Sequence, residues 1–331
     1  MPASLRPRTG LAVLLLLPLA VSAAPPAPTG VDALVAEALE KSPALAAARA
    51  SVVAARERVA PAGTLPDPML RLSYENDGSS LSLGEEMMTR LSFMAEQPIP
   101  WPGKLGLAAK VAGADAAVAE AAVARIRLAI EADVRRAAAR LLEAREARAL
   151  TREQGETWER IESVARSRYA AGLGTQQDVL RAQAERTRLL QQSRRDEGAA
   201  RAAEAELRRL LLREPGTPVE VEGRLLDARP EAPNEADELA RAEAESPELD
   251  VARRSAEREA LAIDLARRDF RPDLVASAGY MNRGSLPMMW SLGLGVTVPL
   301  FSGRKQEPRV REAEARLAAV KAAEADVRLR L

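Results

Sequence analysis

The chain has 331 residues, 47% hydrophobic and 29% charged, so it is long enough to bury a sizeable core in one large domain or two ordinary ones. It contains no cysteine and no histidine, which excludes disulfides, a thiolate nucleophile and the commonest acid–base group and metal ligand. The 48 basic residues balance 48 acidic ones and aromatics make up 3%, which argues against nucleic acid as a partner. Transport, binding or architecture remain, and we expect no catalytic residue, cofactor or metal site.

Residues 1–23 have the pattern of a secretory signal peptide. Arg6 and Arg8 precede an apolar run from Leu11 to Ala20, which small residues follow. The run is too short to cross a bilayer as a helix, and no later stretch approaches 18 consecutive apolar residues. We therefore expect an exported protein that is not lipidated through cysteine.

The rest of the chain consists of two halves in which the same short motifs recur in the same order. The markers that recur in order are Ser42-Pro43 as Ser246-Pro247, Pro66-Asp67 as Pro272-Asp273, Tyr74 as Tyr280, Ile99-Pro100 as Val298-Pro299, and Gly103-Lys104 as Gly303-Arg304. This recurrence predicts two tandem structural repeats, each consisting of a helix pair, a β-hairpin and a long helical hairpin.

Each repeat is predicted to begin with short helices, in segments 24–68 and 236–271. In each Ser-Pro pair the serine caps a helix, and the proline takes its first position, where no backbone N–H is needed. The first of these capped helices is expected to run from Pro43 to about Ala60, and its counterpart to end near Arg268.

Alternating apolar and polar residues predict β-hairpins in 69–100 and 272–301. Leu70 and Leu72 are separated by polar side chains, and Leu292 and Leu294 are separated by glycine. Alternation over about ten residues fits a half-buried strand of a soluble sheet, and it also fits a tilted strand through an outer membrane.

Segment 101–213 predicts a long helical hairpin, which a linker at 214–235 follows. A helix from Lys104 to Ala171 would be roughly 100 Å long at 1.5 Å per residue. Its apolar stripe requires a partner helix. The stripe consists of Val123, Ile126, Ile130, Val134, Ala137 and Leu141, and then Trp158, Ile161 and Ala165. Periodicity alone leaves open a solvated antiparallel coiled coil and a more specific assembly.

This order of segments resembles the TolC family of outer-membrane efflux channels. The motifs that carry the resemblance are Gln97-Pro98-Ile99-Pro100-Trp101-Pro102-Gly103-Lys104, Tyr169-Ala170-Ala171-Gly172-Leu173 and Val296-Thr297-Val298-Pro299-Leu300-Phe301-Ser302-Gly303. The resemblance covers essentially the whole mature chain. It implies a membrane β-barrel in outer-membrane lipid plus a long α-helical coiled-coil tunnel in the periplasm, formed by a homotrimer in which each subunit supplies four strands.

The resemblance also implies partners and residue roles. The channel would be a passive conduit of a tripartite efflux or type I secretion system, with a periplasmic adaptor (membrane fusion) protein and an inner-membrane pump of the RND or ABC type. Gly172 and Leu173 would contact the adaptor, and Asp178 would lie at the tunnel constriction. Two other interpretations stay open: Gly172 simply ends a helix, and Asp178 is a favourable acidic group in the first turn of the next one.

The two strand-to-helix junctions are the remaining candidate positions. The residues expected to shape them are Pro100, Trp101, Gly103, Pro299, Phe301 and Gly303. Trp101 and Trp290 are also candidates for the aromatic belt that barrels place at the membrane interface.

The second helical hairpin begins at 302–331, where the sequence ends. The repeat spacing predicts about 87 further residues for a full second hairpin, so we expect a C-terminally truncated channel. A soluble periplasmic adaptor or coiled-coil scaffold is the alternative, since it would also carry an export signal and a helical hairpin. The tandem repeat argues against that alternative.

Overall fold

The computed structural model describes residues 29–79, 81–83, 86–224 and 234–331. The predicted signal peptide, residues 1–23, lies outside these ranges. The elements in chain order are α1 Val31–Lys41, α2 Pro43–Glu57, α3 Val59–Gly63, β1 Met69–Glu75, β2 Arg90–Ile99, α4 Lys104–Ala170, α5 Gln176–Leu210, α6 Glu235–Glu245, α7 Pro247–Arg268, β3 Asp273–Asn282, β4 Met289–Thr297, a 3₁₀ turn at Ser302–Arg304, and α8 Gln306–Arg330.

The Ser-Pro pairs start helices as predicted. Ser42 Oγ accepts the Leu45 N–H at 3.2 Å, and Ser246 Oγ accepts the Leu249 N–H at 3.3 Å. The first of these helices is shorter than expected, because α2 ends at Glu57 and the short helix α3 follows it. Pro61 lacks the N–H that would bond the Glu57 carbonyl four residues earlier, so the regular helix cannot continue through it.

Helices α4 and α5 form the predicted antiparallel hairpin, with 67 and 35 residues. At 1.5 Å per residue α4 is about 100 Å long. Helix α5 ends at Leu210, earlier than the predicted Arg213, because Leu212 adopts a left-handed φ of 54°. In the described part of the chain, no helix is both long enough and apolar enough to cross a bilayer.

The core lies where α1, the middle of α4, the end of α5 and the segment at 219–221 meet. Leu34, Leu141 and Leu207 are each at most 1% exposed there. Val134, Ala137 and Leu141 are buried, as the apolar stripe predicted. Nearer the tip, Trp158 and Ala165 are half-buried, but the prediction was wrong for Ile161, which is 42% exposed, while the neighbouring Glu162 is buried.

The four strands form one antiparallel sheet in the order β1-β2-β3-β4, so both predicted hairpins are present and lie side by side. Its two faces differ. One row across the sheet consists of Leu72, Phe93, Tyr280 and Trp290, and the next row, on the opposite face, consists of Ser73, Ser92, Met281 and Met289. Within the described residues, β1 and β4 each have one edge without a strand partner.

An ion pair fastens α1 to the chain just beyond α5. Arg213 Nη2 lies 2.6 Å from Glu37 Oε2, and Arg213 Nε donates to Glu37 Oε1 at 3.0 Å. Both side chains are about one-fifth exposed. The hydrogen bonds from Arg213, with a contribution from Lys41, lower the pKa of Glu37 from 4.5 to about 2.

We expect this pair to make stability depend on acid. Because the pKa of Glu37 is lower in the folded state, the stabilisation is present above about pH 5 and is lost as the pH falls from 4.5 towards 2. Arg213→Met should remove roughly 2 to 3 kcal/mol at pH 7 and flatten this part of the pH profile. Thermal unfolding followed by circular dichroism measures both effects. An unchanged profile in the variant would contradict this assignment.

Candidate functional site

The tip of the helical hairpin is a tight turn that hydrogen bonds fix on both sides. The Leu173 N–H donates to Arg168 O at 2.8 Å and the Gly172 N–H donates to Tyr169 O at 3.0 Å, which together close α4 in a Schellman motif. Gly172 has a φ of 71°, a conformation that favours glycine. The turn leaves Leu173 72% exposed at the extreme end of the molecule.

Asp178 is bonded within its own helix. Thr175 Oγ1 donates to Asp178 Oδ2 at 2.7 Å and accepts the Asp178 N–H at 3.2 Å, while the Thr175 N–H donates to the same carboxylate at 3.2 Å. This reciprocal capping box starts α5. The hydrogen bond from the Thr175 hydroxyl is the main reason that the pKa of Asp178 is lowered. The geometry accounts for a capping role, and the constriction role remains a prediction.

A shallow groove of about 460 Å³ lies beside the turn. Its apolar surface includes Ile161, Val164 and Leu173, and Arg160, Arg168 and Asp178 line it as well. The misassigned Ile161 therefore contributes to an exposed apolar surface at the tip.

Just behind the tip, Glu162 joins the two long helices through a buried charge. It accepts hydrogen bonds from Arg166 Nη2 at 2.6 Å, Arg186 Nη1 at 2.9 Å and Gln183 Nε2 at 3.3 Å. The hydrogen bond from Arg186 is the largest cause that lowers the pKa of Glu162. Two arginines therefore hold this carboxylate ionised. The sequence alone did not predict the burial of Glu162, because Ile161 and Glu162 are adjacent and the apolar Ile161 was assigned to the buried stripe.

At the opposite end of α4, a second charged cluster connects the sheet to the helices. Lys104 Nζ lies 2.9 and 3.0 Å from the two Asp273 carboxylate oxygens, donates to Arg271 O at 3.2 Å and lies 3.7 Å from Asp269 Oδ1. Asp273 Oδ1 also accepts the Trp101 N–H at 2.7 Å. One carboxylate thus holds the first residue of α4 and the turn before it against the start of β3.

Pro100, Trp101 and Gly103 lie between the end of β2 at Ile99 and the start of α4 at Lys104. Gly103 has a φ of 91°, and a Cβ there would lie 3.5 Å from Arg268 Nη1. Arg268 Nη1 donates to Pro102 O at 3.4 Å, so the turn packs against the end of α7. These residues fix where the strand ends and the helix begins.

The second junction does not repeat this geometry. Gly303 lies in the 3₁₀ turn, outside the left-handed region. Phe301 is 68% exposed, and its carbonyl accepts the Arg304 N–H at 3.0 Å. Pro299 precedes it in a groove that Lys104 and Asp273 also line. The second junction therefore lies against the first, and among the described residues it has no charged cluster of its own.

The candidate residues fall into two sites rather than one. Gly172, Leu173 and Asp178 lie at the tip, whereas the junction residues lie about 100 Å away at the other end of α4. Among the described residues, no group of histidine, cysteine, aspartate and glutamate could hold a metal ion.

Comparisons with known proteins agree with this architecture. Residues 34–211 match the sequence profile of the family described as outer membrane efflux protein. The outer-membrane channel OprN superposes with a TM-score of 0.74 at 21% identity, over 90% of this chain and 71% of that one. VceC from Vibrio cholerae superposes with a TM-score of 0.71 at 20% identity, over 91% of this chain and 75% of that one. The channel CusC superposes with a TM-score of 0.71 at 15% identity, over 92% of this chain and 73% of that one. At these identities the likeness shows a shared fold. No curated protein matches.

We expect Lys104→Met to destabilise the first junction, because it leaves the Asp273 carboxylate without its cation. Since water reaches part of Asp273, the cost should be about 1 to 3 kcal/mol, below the roughly 3 to 5 kcal/mol of a fully buried pair. Thermal unfolding in detergent measures the loss. Lys305→Met is the matched control, because the Lys305 side chain is exposed and makes no ion pair in the described ranges. Equal melting of the two variants would contradict the assignment.

Proposed function

The chain belongs to the outer membrane efflux protein family, and from that membership we propose that it is the outer-membrane subunit of a tripartite efflux or type I secretion system. The family is one of channels and not of enzymes. In this proposal three copies form a passive conduit from the periplasm to the exterior. An inner-membrane pump supplies the energy, and a periplasmic adaptor protein connects pump and channel.

The observation that carries the proposal is the open four-stranded sheet. Strands β1 and β4 have 7 and 9 residues, and in the described part of the chain each has one edge without a strand partner. In lipid every unpaired backbone group costs several kcal/mol, so two such edges would cost tens of kcal/mol. That sum exceeds the roughly 5 to 15 kcal/mol by which a domain is usually stable. Pairing with further copies of the same sheet removes the cost.

The two faces of the sheet fit lipid on one side and water on the other. Large apolar side chains on one face are strongly exposed in a single copy, including Leu70 at 79%, Leu292 at 75% and Trp290 at 73%. The opposite face carries Arg71, Glu75, Ser92 and Ser277. Apolar residues alternating with polar ones in this way suit a barrel with a lipid-facing exterior and a polar lumen.

The helical hairpin suits the periplasmic part of the conduit. It extends about 100 Å from the junction, and its tip presents exposed Leu173 beside an apolar groove. In the proposal this tip, with Gly172, meets the adaptor protein, and Asp178 lies near the constriction. A soluble adaptor or coiled-coil scaffold fits the chain less well, because such a protein would not need an exposed apolar sheet face.

The proposal is tested by expressing the protein in a bacterium with an outer membrane. We expect it to sediment with the outer membrane, to resist extraction by high salt, and to have the mass of a trimer in mild detergent. Native mass spectrometry gives the stoichiometry and planar-bilayer recording gives the conductance. A monomer that washes off in salt would overturn the proposal and favour the scaffold.

We expect Asp178→Asn to lower the ratio of cation to anion permeability, because three copies would place a ring of carboxylates at the constriction. Reversal potentials in a KCl gradient measure this ratio. Thr175→Val is the matched control, since it removes the partner hydroxyl of the capping box and keeps the charge. If Asp178→Asn leaves the ratio unchanged, Asp178 is a helix cap only.

A further inference from the structure

The two halves of the chain share one strand register. By the sequence markers, Met69 corresponds to Val275, two residues after the recurring Pro-Asp, and Glu96 corresponds to Gly295, three residues before the recurring Ile/Val-Pro. Met69 pairs with Glu96 in the first hairpin, and Val275 pairs with Gly295 in the second. Tyr74 with Leu91 and Tyr280 with Trp290 correspond in the same way. Sequence correspondence therefore predicts register in this sheet.

A third strand pairing joins the two repeats. Strand β2 of the first repeat pairs with β3 of the second, with Gln97 opposite Ala276 and Ala95 opposite Ala278. In a closed ring of copies, the second repeat of one copy must meet the first repeat of the next copy. If the halves are equivalent, β4 meets β1 of the neighbouring copy as β2 meets β3.

We propose that β4 pairs with β1 of a neighbouring copy. The register is obtained from the β2–β3 pairs by replacing each residue with its counterpart in the other repeat. Gln97 corresponds to Val296 and Ala276 to Leu70, so Val296 lies opposite Leu70 of the neighbouring copy. By the same rule Leu294 lies opposite Leu72, and Gly295 lies opposite Arg71. The inference rests on the proposed function, because it takes a closed ring of copies as its premise.

The faces of the strands support this register. Leu70, Leu72 and Tyr74 lie on the apolar face of the sheet, and so do Leu294 and Val296. The proposed β4–β1 register keeps these five side chains on one face of the sheet. A slip by one residue would place leucines on the polar face, because side chains alternate with a period of two.

The charged cluster at the first junction has a counterpart in this interface. Lys104 of the first repeat binds Asp273 of the second, at the point where β2 meets β3. Their counterparts are Arg304 and Asp67. Both of these side chains are exposed, and neither makes an ion pair within the described residues. The second junction forms a 3₁₀ turn and does not repeat the backbone of the first, so this assignment rests on the sequence correspondence of the two pairs. On that basis we assign Arg304 to pair with Asp67 of the neighbouring copy.

Cysteine cross-linking tests the register, since the chain contains no cysteine that would interfere. Arg71→Cys combined with Gly295→Cys should form a disulfide between copies, because directly opposite residues have Cα atoms about 4.5 to 5.5 Å apart, within the roughly 4.4 to 6.8 Å that a disulfide bridges. Space for the new side chain exists, since a Cβ at Gly295 would lie 3.6 Å from its nearest neighbour, Val275 Cβ. Oxidised samples should run as covalent dimers and trimers on denaturing gels.

The matched control combines Arg71→Cys with Ser291→Cys, four residues away on the same strand and about 13 Å off register. We expect loss of the cross-link there, because Cα atoms more than about 7 Å apart cannot be bridged without backbone movement. Arg71→Cys with Gly293→Cys reports a slip of two residues, and cross-linking strongest in that pair would overturn the register. Leu72→Cys with Leu294→Cys repeats the test on the other face if the first pair does not assemble.

Charge reversal tests the ion pair. Asp67→Arg and Arg304→Asp should each lower the temperature at which the trimer dissociates in detergent, and the double variant should restore it. Combining Asp67→Arg with Lys305→Asp should not restore it, and rescue by this control would overturn the assignment of Arg304. Trimers without the expected cross-link contradict the register alone, whereas a protein that never forms trimers contradicts the proposed function.

Discussion

The backbone hydrogen bonds at the two free edges of the sheet are the constraint on which the rest of the structure depends. Strands β1 and β4 present polar edges beside an apolar face that includes Leu72 and Leu294. The apolar face is stable in lipid, but the unpaired backbone groups of the edges are not. In water the edges can be hydrated, but the apolar face is unfavourably exposed. The described residues of a single chain do not satisfy both, and the proposed ring of copies would.

Two charged clusters then hold the long helix to this sheet and the two long helices to each other. Lys104 and Asp273 fix the first turn of the long helix to the start of β3, and Glu162 ties the two long helices together just behind the tip. In both clusters several donors surround one carboxylate, so a single charged group connects parts of the chain that are distant in sequence. The apolar core lies between these ends, where α1 packs on α4 and α5.

Much of this fold follows from local sequence patterns. The Ser-Pro caps, the alternation in both hairpins and the uninterrupted run after Lys104 are local, so the elements they predict are present. What the patterns could not predict depends on contacts between distant residues. The pairing of Lys104 with Asp273 depends on the two hairpins being adjacent. The burial of Glu162 rather than Ile161 depends on which side of α4 faces α5. The second junction also departs from the repeat, because Gly303 enters a 3₁₀ turn that its sequence counterpart does not form.

Hydrogen exchange of the backbone amides in β1 and β4, measured on the protein purified from outer membranes in mild detergent, tests the central claim most directly. Among the residues that the structure describes, the outer edges of these strands have no strand partner within one copy. We predict that the amides on these edges are protected as strongly as the amides of β2 and β3, because in the proposed ring the strands of neighbouring copies bond to them. Exchange of these edge amides as fast as that of loop residues would show that the edges are open, and it would contradict the account.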